Sequence, residues 1–199
     1  MTLYDLKPRF QQLLRPLVGR LAEAGATANQ VTLTAAGLSI VVGAWLSLPG
    51  RSATAFLLLP AWLFVRMALN AIDGMLAREF GQKSRLGGYL NELCDVVSDA
   101  ALLLPFAFVA PFAPAAVFCV IFFATLSEYA GVMGPLIGAS RRYDGPLGKS
   151  DRALVLGALG LWIGLGLPLP AWTFWLMPVL AVLLAATTVN RVYRGLQES

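Results

Sequence analysis

Six long apolar stretches, joined by short polar or basic connectors, organise the 199-residue chain. They run near residues 30–49, 54–78, 87–110, 114–138, 151–168 and 170–190. A helix needs about 20 apolar residues to cross the hydrocarbon core of a bilayer, and each stretch comes close to that length. The last two are nearly continuous, and Pro168-Leu169-Pro170 predicts a tight turn between them. Residues 2–24 follow a different pattern. Leu6, Phe10, Leu13, Leu14, Leu17 and Leu21 recur at helical spacing, with Lys7, Arg9, Arg15 and Arg20 around them. A basic amphipathic helix of this type lies in the membrane interface. The pattern therefore predicts an all-α polytopic membrane protein, with an interfacial N-terminal helix followed by six transmembrane helices. No internal repeat or low-complexity linker divides the chain, so residues 1–199 are expected to form one membrane domain. The N-terminus lacks the apolar core and small-residue cleavage site of a signal peptide and is expected to be retained.

Composition agrees with that picture and narrows the chemistry. Hydrophobic residues make up 58% of the chain and charged residues 13%, and the mean hydropathy is +0.71. Soluble domains carry about 25% charged residues, so a soluble enzyme, a disordered tail and a disulfide scaffold are excluded. The chain has no histidine, which removes histidine-ligated metal sites and histidine-activated nucleophiles. Cys94 and Cys119 lie inside apolar runs and read as small hydrophobes. A net charge of +4 would suggest nucleic acid in a soluble protein. Here it reads as topology, and no nucleic-acid partner is expected. Thirteen of the fifteen Lys and Arg residues fall on the side of both termini and the loops at 79–86 and 139–150. Arg51 alone falls on the other side, and Arg66 lies within a span. The positive-inside rule then puts both termini in the cytoplasm.

Two adjacent spans hold residues that a bilayer tolerates poorly. Arg66, Asn70, Asp73 and Ala77 form one stripe of the second span, and Asn91, Asp95 and Asp99 recur every four residues in the third, with Glu92 on the same flank. Ionisable groups gathered on one face inside a membrane point to a functional site; a structural polar seam between helices is the plainer alternative. The two spans run in opposite directions, so residues equally far from the loop between them should lie level. Asp73 is then level with Asn91, Asn70 with Asp95, and Arg66 with Asp99. The first two rungs combine a carboxylate with an amide. Such oxygen donors suit Mg²⁺ or Mn²⁺, which would in turn take a phosphate-containing substrate. The third rung is a cation beside an anion, expected to be a structural ion pair. Gly74 and Ala77 are small enough to let a ligand approach the helix closely.

The run Asn70-x-x-Asp73-Gly74-x-x-Ala77-Arg78, then eight residues, then Gly87-x-x-x-Asn91-x-x-x-Asp95 resembles the signature of the CDP-alcohol phosphatidyltransferases, D-x-x-D-G-x-x-A-R-x8-G-x-x-x-D-x-x-x-D. Every spacing matches, as do both glycines, the alanine and the arginine. Asn29-Gln30-Val31-Thr32, where the first span begins, is family-like too. The first and third aspartates of the pattern are Asn70 and Asn91 in this chain. The resemblance implies six spans and a cytoplasmic amphipathic N-terminal helix. It also implies a CDP-linked donor such as CDP-diacylglycerol or another CDP-alcohol, a homodimer, and residence in a bacterial inner membrane. Asp73, Asn70, Asn91 and Asp95 would hold a divalent cation, Mg or Mn. Gly74, Ala77, Arg78 and Gly87 would face the CDP donor. Asp95 would orient or deprotonate an acceptor hydroxyl that attacks the phosphorus next to the lipid and expels CMP. Arg141, Arg142, Lys149 and Arg152 flank the fifth span, and four cations beside a pocket suit an anionic acceptor such as a sugar phosphate or a lipid headgroup. Positive-inside topology alone would also place them there. Glu128 lies mid-span and could touch the acceptor or pair with a cation. Two other functions fit the same residues: a relative that binds CDP-lipid without turnover, and a cation-dependent transporter.

Overall fold

The computed structural model describes residues 3–199, with side chains from residue 9 onward. Seven α-helices follow one another: α1 (Leu3–Glu23), α2 (Ala28–Leu46), α3 (Leu58–Glu79), α4 (Arg85–Leu103), α5 (Pro114–Met133), α6 (Lys149–Gly164) and α7 (Leu176–Glu198). Among the described residues there is no strand. Short 3-10 turns lead into α3 and α7 and extend α4 and α5. Pro105 and Pro135 lie in the two extensions. Neither has the amide that a continuing α-helix would need, and the chain tightens there instead.

Local sequence accounts for the helix starts. Thr27 caps α2, its hydroxyl accepting from the Gln30 amide while the Gln30 side chain accepts from the Thr27 amide. Ser84 caps α4 by accepting from the Gly87 amide at 2.9 Å. Gln82, in the α3–α4 loop, accepts from the Ala28 amide at 2.7 Å and donates to the Ala26 carbonyl at 3.2 Å. That pair of bonds fixes the loop against the start of α2.

Packing centres on α2, which lies against both α3 and α4. Gly43 makes the α2–α4 approach possible. A Cβ there would sit 2.1 Å from the Ala101 carbonyl oxygen, so the two backbones are in direct contact. α6 packs on α3, and α5 on α7. The interior is built from fully buried residues such as Leu59, Leu102, Phe106, Val117, Met177 and Leu184. Large apolar side chains including Val41, Phe64, Phe122, Leu154 and Val182 stand on the outside, a surface suited to lipid.

Four stretches are long and apolar enough to cross a bilayer: Ala28–Leu46, Ala53–Glu79, Pro114–Ile137 and Ala171–Glu198. The sequence pattern predicts six. The other two regions differ for identifiable reasons. α4 carries Arg85, Glu92, Asp95 and Asp99, and α6 is 16 residues long and opens on Lys149, Asp151 and Arg152.

Candidate active site

α3 and α4 both rest on α2 and reach each other through long side chains. The deepest link is Arg66, a buried residue of α3. Its Nη1 lies 2.5 Å from Asp99 Oδ1, and its Nη2 lies 3.2 Å from both Asp95 Oδ1 and the Asp95 carbonyl oxygen. One turn nearer the α3–α4 loop, Asn70 Nδ2 donates to Asp95 Oδ1 at 3.5 Å. Asp73 is buried and accepts the Thr32 hydroxyl of α2 at 2.8 Å. Among the described residues no hydrogen bond joins Asp73 to Asn91, which is half-buried on α4. The hydroxyl of Thr32 thus orients one carboxylate of the motif, and Arg66 orients the other.

The small motif residues allow close approaches. At Gly74 a Cβ would lie 2.9 Å from Arg78 Nη2, so the guanidinium of Arg78 folds back over the glycine. At Gly87 a Cβ would lie 2.8 Å from the Asn29 side-chain oxygen. Ala77 is half-buried and Arg78 exposed, so this face of α3 is open beside Asp73.

α6 brings cations to the opposite wall. Its first turn places Lys149 Nζ on Asp95 Oδ2, and Arg152, one turn on, places Nη2 2.8 Å from Asp99 Oδ2 and 2.9 Å from Glu128 Oε1. Arg152 is buried, and its Nε and Nη1 have no partner. Arg141 pairs with Glu92 at 2.6 Å and lies 3.6 Å from Glu128. Arg142 diverges from the other three. It pairs with Asp144 and with Glu198 at the end of α7, away from the motif carboxylates.

Glu128 of α5, expected to touch the acceptor or to pair with Arg66 or a loop cation, pairs with three guanidiniums, those of Arg141, Arg152 and Arg191. Arg191, which the topology count treats as one more basic residue at a span end, is 2% exposed and also donates to the carbonyls of Ser127 and Asp144. No signal in the sequence set Arg191 apart from the other basic residues.

Among the described residues no three His, Cys, Asp or Glu side chains gather as a metal cluster. At motif positions 70 and 91 the chain has amides, neutral oxygen donors in place of carboxylates. Asp95 already pairs with two cations, Arg66 and Lys149, which a divalent ion bound there would have to displace.

Comparison with known proteins gives a consistent answer. The chain is 46% identical over 194 residues, 96% of this chain and 94% of the relative, to the inner membrane protein YnbA of Escherichia coli. It is 30% identical over 175 residues to the phosphatidylinositol phosphate synthase of Corynebacterium glutamicum, covering 83% of this chain and 76% of that one. The phosphatidylinositol phosphate synthase of Mycobacterium tuberculosis, solved with CDP-DAG bound, shares the fold at a TM-score of 0.73 and 23% identity over 92% of this chain and 94% of that one. The same enzyme solved with manganese and citrate matches at 0.71, again at 23% identity, over 90% and 87%. The model of the CDP-alcohol phosphatidyltransferase family matches residues 26–185, which contain the whole motif and the cations opposite it. The chain belongs to the CDP-alcohol phosphatidyltransferase family.

Proposed function

We propose that this chain is an active, multi-pass phosphatidyltransferase that moves a phosphatidyl group from CDP-diacylglycerol to an alcohol acceptor and releases CMP. The observation that carries the reading is that Asp73 and Asp95, the two retained motif carboxylates, are each held by a partner of their own, Thr32 and Arg66, with the small residues of α3 nearby. A CDP-diacylglycerol-bound relative with the same fold supports the donor.

Each residue of the motif then has a task. Asp73, Asp95, Asn70 and Asn91 would hold Mg or Mn, and the bound cation would supply charge neutralisation at the diphosphate. A manganese-containing structural neighbour supports that choice of metal. Gly74, Ala77 and Gly87 leave room for the CDP moiety, and Arg78 is long and exposed enough to reach it. Lys149 lies beside Asp95, where the acceptor hydroxyl would come in. The acceptor oxygen forms a bond to the lipid-bearing phosphorus, the bond from that phosphorus to the CMP oxygen breaks, and the hydroxyl proton passes to Asp95. With no histidine in the chain, a carboxylate is the available base.

In this reading all six apolar regions span the membrane, with α1 in the interface, both termini cytoplasmic and residues 1–199 forming one domain. α4 and α6 cross despite their charges because those charges face inward and pair with each other. The inner-membrane relative supports a bacterial inner-membrane location, and the family resemblance supports a homodimer. The test is CMP release from CDP-diacylglycerol by the purified full-length protein with Mg²⁺ or Mn²⁺ and a panel of alcohols. Acceptor-dependent CMP release is the expected result. A protein that binds the donor but releases no CMP with any acceptor would be a silent relative, and the proposal would fall.

A further inference from the structure

The arginine cluster behind the motif holds its own anion. Arg152 Nη2 lies 2.9 Å, Arg191 Nη1 3.2 Å and Arg141 Nη2 3.6 Å from carboxylate oxygens of Glu128, each from a different element. Glu128 projects from the C-terminal part of α5, Arg152 from α6 one turn beyond Lys149, Arg191 from α7, and Arg141 from the α5–α6 loop. Three guanidiniums converging on one point form the arrangement that would bind a phosphate. Here the point is taken by a side chain that is 8% exposed.

Charge bookkeeping leads to the same place. Arg141 has a second carboxylate in Glu92, and Arg152 has one in Asp99. Asp99 is shared with Arg66, and Asp95 joins Arg66 to Lys149, so the whole network sets five cations against four carboxylates; the one anion at the point where the three arginines converge is Glu128. An incoming phosphate would have to enter beside Glu128, a like charge in a poorly hydrated setting, or drive it out. Hydrogen-bonding capacity is not exhausted in the same way. Nε and Nη1 of Arg152 and Nε of Arg141 have no partner, so the cluster keeps donors although its anion position is filled. Free donors beside an anion position that is already filled suit hydroxyl groups.

Building on the transferase reading, we infer that Glu128 sets the acceptor class. It fills the anion position of the cluster, so the acceptor is an uncharged, hydroxyl-bearing alcohol, and phosphorylated alcohols are excluded. This reverses the expectation, drawn from the four cations alone, of an anionic acceptor.

The experiment uses the full-length protein in detergent and has two arms. In the first, inorganic phosphate is the probe and thermal stability the readout, with chloride at equal ionic strength as the control. Wild type should gain no phosphate-specific stabilisation, whereas Glu128→Gln, which keeps shape and one amide oxygen but removes the charge, should bind phosphate at least about tenfold more tightly, ~1.4 kcal/mol. Glu128→Asp keeps the charge and should behave as wild type. Phosphate-specific stabilisation of wild type overturns the inference, and that comparison stands even if Glu128→Gln does not fold. In the second arm, CMP release from CDP-diacylglycerol is compared with glycerol and inositol against their monophosphates. The unphosphorylated member should be preferred by wild type, and Glu128→Gln should shift the preference toward the phosphorylated one. Preference of wild type for a monophosphate overturns the inference and leaves the transferase reading standing. No release with any acceptor would overturn the transferase reading, while the phosphate-binding arm would still decide the role of Glu128.

Discussion

Replacing Arg66 and Asp99, singly and together, tests how the two halves of the site are joined. Both side chains are nearly buried, at 5% and 13% exposure, and their contact is 2.5 Å. Truncating one member of a buried ion pair costs about 3–5 kcal/mol, because the other charge is left unsatisfied. Here neither orphan is left bare. Arg66 keeps Asp95 when Asp99 is removed, and Asp99 keeps Arg152 when Arg66 is removed. Each single change, Arg66→Leu or Asp99→Leu, should therefore fall at the low end of that range, about 3 kcal/mol. The bond between them is charge-assisted and should be worth about 1.5–3 kcal/mol as a coupling energy. The double variant should then lose about 4 kcal/mol rather than the sum of about 6 kcal/mol. Equilibrium unfolding of the full-length protein in mixed micelles, followed by tryptophan fluorescence, reads all three values. If the double loss equals the sum to within about 0.5 kcal/mol, the two residues do not act as a pair and the argument fails.

Three further outcomes follow from the geometry. Gly43→Ala would push a methyl group to 2.1 Å from the Ala101 carbonyl and should destabilise the fold by about 1–3 kcal/mol, read by the same unfolding assay. Gly74→Ala meets only the flexible end of Arg78, so stability should change little while the KM for CDP-diacylglycerol rises, and an unchanged KM would remove Arg78 from the donor site. Glu198 accepts the Ser140 hydroxyl at 2.9 Å and the Ser140 amide at 3.2 Å and pairs with Arg142. These contacts, the Ser140 hydroxyl first, hold its carboxyl below the ordinary glutamate value. A lowered folded value means that the stabilisation is complete above the unfolded value of about 4.3 and is lost as pH falls through the folded one. The protection factors of amides in residues 139–142, taken relative to the intrinsic exchange rate at each pH, should fall on acidification in wild type and stay flat over that window in Glu198→Gln.

Much of the architecture is legible in the sequence because the bilayer imposes a one-dimensional code of length and hydropathy. The apolar runs near 87–110 and 114–138 gave no sign of the tightening at Pro105 and Pro135, and the Thr27 cap lies ahead of the expected start of the first span. The motif residues were legible through their spacing alone. Of the three rungs counted from the loop, Arg66 meets Asp99 and Asn70 meets Asp95; the remaining one, Asp73 with Asn91, was not to be read that way. Equal distance from the α3–α4 loop takes the two helices as direct neighbours, whereas both rest on α2, and Thr32 of α2 contacts Asp73 where Asn91 was expected. The cations of the α5–α6 loop read as one group, yet Arg142 turns to Glu198 and Arg141 to Glu92. Such choices depend on three-dimensional packing of α5, α6 and α7, for which periodicity carries no information.

The central claim is that two carboxylates, Asp73 and Asp95, suffice for turnover where the family pattern has four. The most direct measurement is the rate of CMP release from CDP-diacylglycerol as Mn²⁺ is titrated, for wild type, Asp73→Asn and Asp95→Asn, with folding of each variant checked by its unfolding transition. The account predicts metal-dependent release by wild type and loss of both release and metal response in each folded variant. Near-normal, metal-dependent release by either variant would contradict it.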